Sequence, residues 1–411
     1  MTPQRPWRLF EVFGVEMEYM IVDRDTLAVL PFADELLREA AGGEAYVQDL
    51  DKSPIGWSNE IVCHLVELKT NGPASTLEGL DSSFHADVVD INRRLAGRGA
   101  MLLGTGAHPL MNPETDTRIW PHGDRDIYLA YDRIFDCRGH GWSNLQSTHL
   151  NLPFGNDEEF GRLHAAIRLV LPLIPAIAAS SPLLDGRPTG YLDARLETYR
   201  HNQARVPSIT GRIVPERLFS RADYNTLFAR LAKDMEALDP DGLLEPVFLN
   251  SRGAIARFDR NAIEIRVTDI QECPKADVAV AAAVVASVRT LVAEAEVPLD
   301  IQTQWPEDLL GDILLGVARD GEEARIADGE FLRMFGLRAR ACTAGEVWRH
   351  LCEAGRDAFD DDQRRSLGTI LSEGPVARRI LRALGPSPGR DEIVTTYRDL
   401  AGCLAGNRLF A

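Results

Sequence analysis

The segment Phe13-Gly14-Val15-Glu16-Met17-Glu18-Tyr19-Met20-Ile21-Val22-Asp23 decides the reading of this chain. In an extended strand, alternate side chains face the same way. Val15, Met17, Tyr19 and Ile21 then line an apolar face, and Glu16 and Glu18 stand together on the other. Two carboxylates that close repel unless positive charge sits between them. A hard divalent cation, Mg2+ or Mn2+, held through oxygen meets that need. The same alternation is also the ordinary pattern of a half-buried strand whose polar face meets water, so this segment alone leaves both readings open.

Three further segments repeat the pattern. Leu65-Val66-Glu67-Leu68-Lys69 sets a carboxylate and an amine on one face of a predicted strand. In Ser147-Thr148-His149-Leu150-Asn151-Leu152, His149 and Asn151 face away from Leu150 and Leu152. In Ala262-Ile263-Glu264-Ile265-Arg266-Val267-Thr268-Asp269, Glu264 and Arg266 share one face and Ile263, Ile265 and Val267 the other. Four such strands predict one sheet with a charged, concave lining. Glu and His suit a divalent metal, and Arg and Lys suit phosphate oxygens. Together they are the equipment of ATP-dependent phosphoryl transfer. The expected fold class is α+β: a curved, mainly antiparallel sheet with helices on its outer face and the site on its inner face.

With these residues in view, the chain resembles the type 2 glutamate–cysteine ligase family of carboxylate–amine ligases, relatives of glutamine synthetase. The resemblance runs in order through Gly14-Val15-Glu16-Met17-Glu18, Val66-Glu67-Leu68-Lys69-Thr70 and Gly104-Thr105-Gly106-Ala107-His108-Pro109. It continues through Ser147 to Asn151, the stretch from Ser181 to Tyr191, and Ile263 to Asp269. It implies a glutamine synthetase-like sheet and an ATP-dependent ligase. ATP would phosphorylate a substrate carboxylate, glutamate or another amino acid, and an amine would displace phosphate to leave an amide. It further implies that Glu16, Glu18, Glu67, His149 and Glu264 bind roughly two or three Mg2+ or Mn2+ ions that bridge the ATP phosphates. Arg266 would neutralise charge on the transferring phosphoryl group, with Glu264 and Arg195 beside it as catalytic groups. Arg187, Arg200, His108, Asn151 and Lys69 would contact nucleotide or substrate.

The chain also departs from the family pattern. It reads His149-Leu150-Asn151 where His-x-His is frequent, and an amide cannot carry the positive charge of a second imidazole. Pro188 stands where an acidic residue is frequent, and Lys69 where a small residue is common. These positions fall around the substrate, so the pair of amino acids joined need not be glutamate and cysteine. Two other functions stay open on the residues. A phosphotransferase of the guanidino kinase type would stop at the phosphorylated product, and a ligase-like domain could be retired to binding.

Composition bounds the rest. The chain has 411 residues, 45% hydrophobic and 26% charged, as in an ordinary globular protein. A formal net charge of −17 argues against nucleic acid as a partner. It does not argue against ATP, because local Arg and metal outweigh a diffuse field at close range. Small amino acids or amines are the expected partners, and a homo-oligomer is left open. The N-terminus lacks the apolar core of a signal peptide, and the six cysteines show no metal or redox spacing. Both features point to a reducing, cytoplasmic setting. The apolar run Leu169–Ala179 contains two prolines and is too short to cross a bilayer.

Leu77, Leu80, Phe84, Val88, Ile91 and Leu95 recur at helical spacing after Thr76. Val278–Val288 reads as a core helix. A change of composition near Val297 divides a catalytic domain, residues 1–297, from a helical C-terminal extension, residues 298–411, expected to pack on it. Asp360-Asp361-Asp362 reads as a helix start in preference to a metal site. For His108 a structural and a site role both stand, since the glycines before it make no Walker loop. Glu60 lies seven positions before Glu67, the wrong parity for one uninterrupted strand, so only a bulge or bend would admit it. Cys273, just beyond the Glu264 strand, could be a core thiol or lie at the rim of the site.

Overall fold

Eight strands pair antiparallel into one open sheet in the computed structural model, which describes residues 6–411. They are β1 (Gly14–Asp23), β2 (Asp49–Leu50), β3 (Ile55–Asn59), β4 (Leu65–Thr70), β5 (Ala100–Leu103), β6 (Ser147–Pro153), β9 (Ala254–Arg257) and β10 (Ala262–Asp269). A separate hairpin joins β7 (Leu183–Leu184) to β8 (Arg187–Pro188). The sheet runs β2-β3-β4-β1-β6-β10-β9, and β5 pairs with the far end of β1. The four strands singled out in the sequence are thus the four central ones. Their positions follow from their chemistry: each has one continuous apolar face to bury.

That apolar face meets the helices. Val15, Met17, Tyr19 and Ile21 of β1 pack with Val66 and Leu68, Leu150 and Leu152, and Ile263 and Ile265 in one core. Helix Leu80–Leu95 contributes Phe84, Val88, Ile91 and Leu95, the expected stripe. It begins at Leu80 because Gly79 takes φ 73°, a left-handed conformation that breaks the helical path. Helix Pro274–Val292 is buried almost all round and lies against both Leu80–Leu95 and Asp157–Val170. The run Leu169–Ala179 forms short buried helical turns. Among the described residues, no helix is long and apolar enough to cross a membrane.

The opposite face of β1 changes character along its length. Glu16 and Glu18 are followed on the same face by Met20 and Val22, which are buried under a second core. Helices Val376–Leu384 and Arg390–Ala405 supply Ile380, Ile393, Tyr397 and Leu400 to it. The C-terminal helices therefore close one end of the polar face. The last residues are tied in as well. Arg379, nearly fully buried, pairs with Glu272 at 2.7 Å and donates to the carbonyl of Phe410. Asp360 caps helix Asp361–Glu373 in a reciprocal capping box, and Thr343 does the same for Ala344–Ala354. All six cysteines are free thiols, and Cys273 is wholly buried.

Candidate functional site

The register of the central strands gathers the polar face. Glu16 lies opposite Lys69 on one side and His149 on the other, and Glu18 lies opposite Glu67. Glu264 lies opposite Asn151. One ligand atom each from Glu16, His149 and Glu264 fall within 4.8 Å of one another. His149 Nδ1 is 3.0 Å from Glu16 Oε2 and 3.7 Å from Glu264 Oε1. Its Nε2 is 3.7 Å from Glu18 Oε1 and 2.8 Å from Ser147 Oγ. Glu67 accepts from Ser58 Oγ at 2.5 Å, and Lys69 Nζ stands 3.4 Å from it. Arg266 Nε approaches Glu264 Oε1 at 3.1 Å, and Arg257 approaches the other oxygen at 3.2 Å.

The electrostatics are those of crowded acids. Burial would raise Glu16, but the hydrogen bond and charge of His149, with Arg260 and Arg266, hold it at about 2. Burial and then the Glu16 carboxylate push Glu67 up to about 7, against Lys69 and Ser58. Burial lowers His149, but its hydrogen bond to Glu16 and the charge of Glu18 reverse the direction and raise it. Asn151 Nδ2 donates to Glu16 Oε1 at 3.1 Å, while its buried Oδ1 has no hydrogen-bond partner. Two carboxylates and an imidazole at this spacing offer the oxygen and nitrogen donors that a hard divalent cation takes, and it would take the place of the protons.

One feature of β10 was hidden in the sequence. Ile265 pairs with Leu150 and Thr268 with Thr148, so two residues, Arg266 and Val267, oppose His149 alone. This β-bulge reverses the alternation beyond it. Asp269 consequently shares the face of Ser147 instead of the apolar face that uninterrupted parity would assign. It accepts from the Ser180 amide at 2.8 Å and Ser181 Oγ at 2.7 Å, and pairs with Arg195. A Cβ on Gly106 would come within 2.4 Å of this carboxylate, which explains the glycine. Arg195 also donates to the carbonyl of Arg266 at 3.2 Å.

The remaining expected residues separate. Lys69 lies at the site's edge, paired with Asp49 at 2.7 Å. His108 is not brought to the polar face. It is wholly buried, its Nε2 2.8 Å from the Leu27 carbonyl and its Nδ1 accepting from the Leu110 amide. Burial depresses it to about 4. Gly104 is packed against the Gln271 carbonyl, so this glycine-rich block serves close packing. Arg187 and Pro188 are exposed in the β7–β8 hairpin, and Arg200 pairs with Glu197 at 2.7 Å near the end of a short helix. His108, Arg187, Pro188 and Arg200 line neither cavity beside the acids.

Glu60 corrects the parity argument. It follows β3, whereas Glu67 is in β4, and the two strands form a hairpin in which Ser58 faces Glu67. Parity along one strand never applied. Burial, followed by the charges of Glu18 and Glu67, raises the Glu60 carboxyl well above its ordinary range.

Two cavities meet at the acids. One, of about 240 Å3, is lined by Glu18, Glu60, His149, Arg195 and Arg266 with several aromatic rings. The other, of about 330 Å3, is bounded by Glu16, Lys69, Asn151, Arg260 and the apolar side chains of Trp7 and Phe13. Periodicity carried no signal for the rings of the first cavity, because Tyr128, Tyr131, Trp142, Tyr199 and Phe248 come from helices outside the sheet.

Residues 12–390 match the sequence profile of glutamate–cysteine ligase family 2. The chain belongs to this family. It is accordingly an ATP-dependent ligase by class. An uncharacterized protein of Archaeoglobus fulgidus is 33% identical over 402 residues, covering 97% of this chain and 100% of the relative. A Nocardioides sp. protein provisionally named glutamate–cysteine ligase 2-1 is 27% identical over 285 residues, 68% of either chain. The crystal structure of the Francisella tularensis glutamate–cysteine ligase in complex with AMP superposes with a TM-score of 0.63 at 12% identity, covering 97% of this chain and 90% of that one. The bifunctional glutathione synthetase of Pasteurella multocida gives 0.55 at 11% identity, over 96% of this chain and 52% of that one. The two superpositions establish the fold: an antiparallel sheet with flanking helices like that of glutamate–cysteine ligase.

Proposed function

We propose that this family 2 protein joins a carboxylate, glutamate or another amino acid, to a small amine through an acyl phosphate, using ATP and Mg2+ or Mn2+. The observation that carries the proposal is the convergence of Glu16, His149 and Glu264 within 4.8 Å beside the Arg266 guanidinium. Glu16, Glu18, Glu67, His149 and Glu264 would hold the metal, which when bound supplies charge neutralisation for the phosphates and a template for their alignment.

A substrate carboxylate oxygen attacks the γ-phosphorus. The new O–P bond forms as the bond to ADP breaks, and ADP leaves with the electron pair. The amine nitrogen then attacks the acyl carbon, phosphate departs with the electrons of the C–O bond, and the surplus amine proton passes to solvent. Arg266 lies where charge grows on the transferring group, and its planar fork can meet two oxygens. Arg195, committed to Asp269 and the Arg266 carbonyl, positions that segment. Asn151 orients Glu16. The cavity next to Trp7 and Phe13, with Lys69 and Arg260 at its polar side, suits adenosine and phosphate, and AMP in the Francisella enzyme supports a nucleotide on this fold. Residues 1–297 form the catalytic body in this reading, and 298–411 the helical layer that closes its far end. Six free thiols accord with a cytoplasmic setting.

The test is a nucleotide assay over pairs of carboxylates and amines, with mass spectrometry of the product. A ligase releases ADP and phosphate only when both substrates are present. Phosphate retained on a single substrate would identify a phosphotransferase, and absence of metal-dependent ATP binding would identify a retired domain.

A further inference from the structure

The cavity beside Glu18 has a wall that neither metal binding nor phosphoryl transfer uses. Helix Arg125–Phe135 brings Tyr128 and Tyr131 to it one turn apart, and the turn His140–Ser143 brings Trp142. The polar atom of each ring is already engaged. Tyr128 Oη accepts from Asn59 Nδ2 at 3.1 Å, Tyr131 Oη donates to the Phe248 carbonyl at 3.4 Å, and Trp142 Nε1 donates to the Asn202 carbonyl at 3.3 Å. The Tyr131 and Trp142 rings are 5.4 Å apart at 51°, and Phe135 supports Trp142 from 5.9 Å. With their polar atoms engaged, the rings offer this cavity mainly apolar surface.

The same cavity also has a polar lining. Arg266 and Glu60 line it, and the buried Tyr199 hydroxyl there has no hydrogen-bond partner. Such a group is costly unless a ligand completes it. Aromatic rings beside a carboxyl group and an unpartnered hydroxyl fit a molecule with a flat apolar body and a polar head. Glu18 and His149 line the same cavity, so the polar head of such a molecule would lie toward them.

Resting on the ligase reading above, we propose that the amine substrate carries an aromatic or comparably flat apolar group, received by Tyr128, Tyr131 and Trp142, with its amino group toward Glu60 and Tyr199. A short side chain such as that of cysteine would leave most of this wall facing water, so it would gain little from it. Tyr131 and Trp142 are then specificity-determining residues for the amine.

Two measurements test this. Phenylethylamine, tyramine, phenylalanine, cysteine, glycine and methylamine are each assayed for ADP release against a panel of amino-acid carboxylates. The same amines are titrated calorimetrically into the protein with Mg2+ and a non-hydrolysable ATP analogue, which reads binding without turnover. Aromatic amines should show kcat/KM higher, and Kd lower, by roughly tenfold or more. Tyr131→Ala and Trp142→Ala should erase the preference over methylamine, whereas Tyr131→Phe and Trp142→Phe should keep it and serve as folded controls. If cysteine or glycine is preferred in both measurements, the proposal is overturned and the ligase reading stands. If no amine stimulates ADP release and phosphate stays on one substrate, the ligase reading falls and this proposal with it.

Discussion

Arg195 and Asp269 meet as an ion pair from which solvent is shut out, and the same guanidinium reaches the backbone carbonyl of Arg266 at 3.2 Å. The pair therefore links the helix start at Asp193–Ala194 to the bulge in β10, where the cation of the site is displayed. A buried pair of this kind need not add net stability over an apolar one, but removing one partner strands the other charge.

Asp269→Ala should accordingly lose on the order of 3–5 kcal/mol of folding stability, read by urea denaturation. Gly106→Ala should act through the same carboxylate, since its Cβ would stand 2.4 Å from Asp269. The expected cost is about 1–3 kcal/mol, with loss of turnover as Arg195 and Arg266 shift. A Gly106→Ala variant with unchanged stability and activity would show that Asp269 can move without consequence.

Glu264→Gln should abolish ATP turnover while leaving the fold intact, because it removes a negative charge from the proposed metal group and keeps the shape. Calorimetric titration with Mn2+ should show weakened binding in the variant. Full activity would remove Glu264 from the ligand set.

Arg266→Lys should lower kcat more than it weakens ATP binding. A lysine keeps the charge but loses the two-pronged geometry, and the charge to be met grows in the transition state. A raised ATP Kd with unchanged kcat would make Arg266 a ground-state clamp.

His108 predicts an acid limit to stability. Its folded-state value of about 4 lies below the ordinary 6.5, so the unfolded chain binds the proton first. Its stabilising share is complete above about pH 6.5 and is lost as pH falls toward 4, on the order of 3 kcal/mol in all. The mechanism is local, since protonating Nδ1 removes the acceptor of the Leu110 amide. His108→Gln should be less stable than the parent at pH 7 but show a shallower loss between pH 6.5 and 4 by denaturant midpoints. Equal slopes would place the acid sensitivity elsewhere, in His164, held by burial at about 3, or in His64, at about 4.

Strand alternation by itself determined which residues of β1, β4, β6 and β10 stand together, because a pleated strand has period two and each of these has one apolar face to bury. It thereby placed Glu16, Glu18, Glu67, His149, Glu264 and Arg266 on polar faces before any pairing was known. Only tertiary structure decided what alternation cannot encode. The bulge at Arg266 and Val267 turned Asp269 to the polar face, and the β3–β4 hairpin brought in Glu60 against the parity count along the chain. Packing withdrew His108 into the interior, and the docking of helices outside the sheet carried Tyr131 and Trp142 to the cavity. The physical reason is the range of the forces. Local stereochemistry sets which way each side chain points along a strand, whereas register, bulges and helix docking are settled by burial between segments far apart in the chain.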